Sequence, residues 1–141
     1  MTVALIVIAV IMLLPTFLAQ YAVQRKSHDR ALILLKQWLS PAQLACYEQF
    51  GFFEVTGSDS RRVFRIHFGT QANIEELNEL GLPVCRWCLV PVGNLAAGDV
   101  MLAQKIALET NEPAALSAAN RLFGPMNSRR VRAARRQALV A

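Results

Sequence analysis

The chain has 141 residues, of which 54% are hydrophobic and 18% charged, with a net charge of +5 at pH 7. That length holds one domain of ordinary size, and the apolar content excludes general disorder. Arg129, Arg130, Arg132, Arg135 and Arg136 account for five of the fifteen Lys and Arg, and the ten that remain are balanced by ten Asp and Glu. The basic excess therefore belongs to a tail, which excludes a uniformly basic nucleic-acid surface and directs the tail toward an acidic partner.

From Val3 to Val23 the sequence VALIVIAVIMLLPTFLAQYAV carries no charge. A helix of that length spans about 30 Å, the thickness of a bilayer's hydrocarbon core. The reading is a transmembrane anchor over residues 1–24, kinked at Pro15, with Tyr21 near an interface. A cleaved signal peptide fits less well because only Met1 and Thr2 precede the run, and a soluble core helix of this size would show a polar face. Arg25, Lys26 and Arg30 follow the span and no Lys or Arg precedes it, so the positive-inside bias predicts single-pass topology with the N-terminus outside and the C-terminal domain in the cytoplasm. Three cysteines, an odd number without disulfide-framework spacing, agree with that side.

Residues 25–39 predict a juxtamembrane helix. Its apolar residues cover most of the circumference, so the segment requires burial in the interface, the domain or a partner. Leu32, Leu35, Trp38 and Leu39 are the candidate partner contacts, and Arg25 and Lys26 the candidate lipid contacts beside the five tail arginines. Ser40-Pro41 reads as an N-cap with proline at the first helical position of PAQLACYEQF, and Gly51 as its C-terminal cap.

The period then changes from 3.6 to 2. Phe53 and Val55 alternate with Glu54, a Gly57-Ser58-Asp59-Ser60 turn follows, and Phe64, Ile66 and Phe68 alternate with Arg65 and His67, which predicts a hairpin. A third strand is expected around Gln71 to Ile74, and a fourth over CRWCLVPV after a turn near Gly81-Leu82-Pro83. Strands this close in sequence favour an antiparallel meander. Asp99 is placed to cap DVMLAQKIALET, and Asn111 to cap EPAALSAANRLF with Pro113 in its first turn. The expected fold class is α+β: a membrane helix, then an antiparallel sheet of three to four strands packed with two or three helices in a domain of residues 40–124. A basic tail of residues 125–141 follows.

Chemistry-bearing motifs are sparse. Cys85-Arg-Trp-Cys88 has metal-ligand spacing, and Cys46 and His67 would complete a Cys₃His zinc set, but a strand sends positions 85 and 88 to opposite faces. His28 sits among basic residues, and His67 lies on a polar strand face without a nameable nucleophile. Glu75, Glu76 and Glu79 have the spacing of a solvated helix face or turn, no EF-hand loop surrounds them, and no phosphate-cradling glycine run or dinucleotide fingerprint is present.

FEVTGSDSRRVFRI, NIEEL, CRWCLVP and GDVMLAQKIALETNEPAALSAANR, between Phe53 and Asn120, resemble a pattern of small uncharacterised bacterial proteins with a GDxMLAQKxALE-type segment. The resemblance covers about half the chain. It implies a recurrent compact domain and assigns no functional residue.

The sequence reads best as a non-catalytic, membrane-anchored interaction module without a cofactor, an accessory subunit or adaptor of a membrane complex with a protein partner and anionic lipid. The alternatives are a metal-binding or thiol-redox protein using Cys85 and Cys88, and nucleic-acid binding through the Arg tail. The tail has no interleaved aromatic residue to stack on bases, which disfavours nucleic acid.

Overall fold

A computed structural model describes the backbone of residues 2–122 and the side chains of residues 18–122. Helix α1 runs unbroken from Thr2 to Trp38. Helix α2 (Pro41–Phe50) follows, and the four strands β1 (Phe52–Thr56), β2 (Val63–His67), β3 (Ile74–Leu77) and β4 (Pro83–Cys88) come next. Helix α3 (Ala97–Ala118) and strand β5 (Asn120–Leu122) complete the described chain.

Local chemistry explains α2. Ser40 Oγ accepts from Gln43 N at 3.3 Å while Gln43 Oε1 accepts from Ser40 N at 3.1 Å, a reciprocal capping box, and Pro41 occupies the first turn. Gly51 ends the helix at φ 77°, a left-handed conformation that costs glycine little, and its N–H donates to Tyr47 O.

The strands form an antiparallel meander in the order β1-β2-β3-β4-β5. Residues opposite one another share a face, so register sorts the side chains. One face carries Phe53, Val55, Phe64, Ile66, Ile74, Glu76, Cys85 and Trp87, the other Glu54, Arg65, His67, Glu75, Arg86 and Cys88. The first face meets Leu35 of α1, Leu39 just after that helix, and Met101, Leu102, Leu108 and Ala115 of α3, and this is the core. The two helices cross at contact distance: a Cβ on Gly98 would lie 2.5 Å from the backbone carbon and oxygen of Ala31.

Helix α3 is two helices end to end. Asn111 departs from helical angles (φ −152°, ψ 69°), and its Oδ1 accepts from Ala114 N at 3.3 Å, so it caps a second segment with Pro113 in its first turn. That is the break the sequence predicts. Asp99 instead lies in the first turn of α3, whose N-cap is Ala96 without a side-chain bond.

Several expectations are corrected. The class is α+β and antiparallel, but among the described residues the sheet has five strands rather than three to four, and β5 occupies residues read as the end of a helix. Strand β3 starts at Ile74, three residues later than expected, because Ala72 takes φ 50° and Asn73 Nδ2 donates to His67 O and Gly69 O, closing a turn. Glu75 and Glu76 lie in that strand and are buried, not on a solvated helix face.

The membrane reading is also corrected. Among the described residues, no helix is long and apolar enough to cross a membrane. The juxtamembrane segment is not a separate element. Helix α1 continues through Arg25, Lys26, Asp29 and Arg30, and its Ala31 and Leu35 turn into protein rather than lipid. The single-pass anchor, and with it the placement of the N-terminus outside and the domain in the cytoplasm, is therefore not supported. The side chains of residues 3–17, with the kink expected at Pro15, lie outside the described residues, as does the tail carrying Arg129, Arg130, Arg132, Arg135 and Arg136.

Candidate functional site

Most of the buried ionisable groups on the core face gather where the β1–β2 loop meets the break in α3. Two buried carboxylates, Glu76 from β3 and Glu112 from the start of the second segment of α3, flank the guanidinium of Arg62. Arg62 Nη1 donates to Glu76 Oε1 at 2.6 Å and Nη2 to Glu112 Oε1 at 3.5 Å. Glu76 also accepts from Trp87 Nε1 at 2.9 Å and from Cys85 Sγ at 3.2 Å. Glu112 Oε2 accepts from the backbone N–H of Asp59 at 3.0 Å and of Ser60 at 2.8 Å, while the Ser60 hydroxyl donates to Oε1.

The loop is shaped around that carboxylate. Gly57 has no room for a Cβ because the Glu112 carboxylate occupies the space, Ser58 Oγ accepts from Glu112 N at 3.0 Å, and Arg61 adopts a left-handed φ of 60°. Burial disfavours ionisation of both acids. For Glu76 the bonds from Trp87, Arg62 and Cys85 outweigh it, and for Glu112 the bonds from Ser60 and Asp59 do, so both pKa values lie below the ordinary carboxylate value. Both acids are thus ionised at neutral pH and are poorly suited to act as proton donors there.

The cysteines are divided. Cys85 is buried on the core face and its thiol is pushed up in pKa, first by burial, against the lowering influence of Arg121. Cys88 projects from the other face of the same strand, as the alternation predicts, so the two sulfurs cannot share one ion while β4 stays extended. Cys46 lies on α2, and its pKa is also raised, chiefly by burial and then by Glu54. Among the described residues, no group of three or more His, Cys, Asp or Glu side chains is placed to hold a metal ion.

His67 is buried on the face opposite the core beside Arg65, where its Nε2 lies 2.8 Å from Glu75 Oε2 and its Nδ1 has no partner. The Phe52 ring is 5.3 Å away and carries the Arg65 guanidinium at 4.5 Å. Glu54, Arg65 and Glu75 form a ladder across three strands. His28 is exposed on α1.

The fold itself takes up Leu35 and Leu39, both buried in the core. Leu32 is half-buried, and Trp38 keeps 58% of its surface exposed. Arg25 and Lys26 are exposed on α1. Sequence reasoning missed Arg62, Glu76 and Glu112 as a group, since no local spacing links residues so far apart. The signals available were Gly57 and the helix break at Asn111.

No protein-family model matches the chain, and neither the curated proteins nor the solved structures contain a match.

Proposed function

We propose that this protein is a non-catalytic interaction module, an accessory subunit or adaptor that docks a protein partner along helix α1. One observation carries the reading: every described residue of α1 from Leu18 to Arg30 is exposed, with Leu18, Tyr21 and Val23 each more than 60% exposed. Apolar side chains on so exposed a stretch of helix gain from cover. Leu34 and Trp38, at 41% and 58% exposure, extend the apolar surface toward the domain. Among the described residues, by contrast, the buried side-chain polar atoms have hydrogen-bond partners within the fold, with the exception of His67 Nδ1. The thiol reading has against it the opposite faces of Cys85 and Cys88.

The test places a photo-crosslinking amino acid at Tyr21 or Trp38 in the full chain, in its native cell. Adducts to the same second protein from both positions, and none from the exposed β3–β4 loop at Glu79, are the expected result. Adducts only between copies of this chain, or none at all from α1, would overturn the adaptor reading.

A further inference from the structure

The β1–β2 loop has the make-up of an oxyanion site, and the fold supplies its own oxyanion. Four donors converge on one position: the backbone N–H groups of Asp59 and Ser60, the Ser60 hydroxyl and the Arg62 guanidinium. Adjacent backbone N–H groups in a turn, joined by a hydroxyl and an arginine fork, are the donors that bind phosphate in proteins. Gly57 lets the backbone come close enough, since any Cβ there would meet the anion. The loop is at the surface, with Ser58, Asp59, Ser60, Arg61 and Arg62 all exposed, so what lies under it is one layer from solvent.

We propose that Gly57–Arg62 is a binding site for a phosphate-class oxyanion, held closed by Glu112 as an internal ligand. Glu112 sits one residue past the helix break, so withdrawing its carboxylate requires rotation of one side chain beside Asn111 rather than unwinding of a continuous helix. A second carboxylate, Glu76, shares Arg62 and opposes an anion at the position, while its 2.6 Å bond keeps Arg62 in place when the Glu112 carboxylate is withdrawn. The site is thus selective for a ligand that uses all four donors over a diffuse anion such as chloride.

The test uses the full chain with Glu112→Ala and inorganic phosphate as the probe, titrated against chloride at constant ionic strength, with the thermal midpoint as readout. A ligand that binds only the folded state raises that midpoint with concentration. The expected result is a saturable rise in Glu112→Ala at phosphate concentrations about tenfold or more below those at which the wild-type chain responds, because in the wild type the phosphate must displace the carboxylate. Adding Arg62→Ala to Glu112→Ala should remove the response. If Glu112→Ala is unfolded in chloride, the titration instead reads the folded fraction, and phosphate should restore it. A response equal in the two salts, no recovery of folding, or equal sensitivity of wild type and variant would each overturn the proposal, the last because binding would then lie at other basic residues.

Discussion

Two buried polar clusters fasten α3 to the sheet, and they do it with opposite chemistry. Near the first half of the helix, Gln104 and Asn73 exchange a pair of amide bonds at 2.9 Å each, Gln104 Nε2 also donates to Leu89 O, and Asn73 Nδ2 to His67 O and Gly69 O. This cluster is neutral and closed, with Gln104 and Asn73 almost wholly inaccessible. Past the break, Glu76 and Glu112 share Arg62, whose side chain is 44% exposed. The neutral cluster holds at any pH, whereas the charged one depends on two carboxylates staying ionised, which makes the second half of α3 the part of the fold that conditions can loosen.

The most disruptive way to break that comparison is Glu112→Ala, which leaves the Asp59 and Ser60 N–H groups unpartnered and Arg62 with one carboxylate. A loss of about 3 kcal/mol at pH 7 is expected in urea unfolding. Gln104→Ala strands Asn73 and Leu89 O and leaves a cavity, for a loss of about 2 kcal/mol that stays the same between pH 7 and pH 5. The pH response of the wild type sharpens the contrast. The folded pKa values of Glu76 and Glu112 are depressed, so the stability they contribute is complete above the ordinary carboxylate value and is lost as pH falls through their folded values. Unfolding midpoints should therefore decline below about pH 4.5, and Glu112→Ala should remove about half of that decline.

Smaller effects bound the rest. Cys85→Ala removes one bond to Glu76 and little volume, with an expected cost of about 1 kcal/mol. On the opposite sheet face, Glu54→Gln should cost less than about 0.5 kcal/mol, because the Glu54 side chain is 43% exposed and water screens the pair. A cost as large as that of Gln104→Ala would mean that this ladder, rather than the core-face clusters, sets the strand register.

Legibility followed the range of the interaction. The α2 caps, the β1–β2 hairpin and the Asn111 break depend on residues within a few positions of one another, so Ser40, Gly51 and Asn111 could be read directly. Strand β5 has three residues and pairs with β4 more than thirty positions away, and nothing in Asn120-Arg121-Leu122 alternates long enough to betray it. The acids at 75 and 76 looked solvated because charge in sequence predicts exposure. Glu76 is instead buried because Arg62 from the β1–β2 loop and Trp87 and Cys85 from β4 arrive to satisfy it.

The sequence by itself determined the α+β class, the antiparallel order, the opposite facing of Cys85 and Cys88, and the caps at Ser40, Gly51 and Asn111, because periodicity and cap chemistry act within a few residues. Only the tertiary structure decided that α1 runs on past the charged flank to place Leu35 and Leu39 in the core, and that Arg62 stands between Glu76 and Glu112. Those outcomes depend on contacts between distant segments, and a buried charge is tolerated only where the whole fold brings it partners.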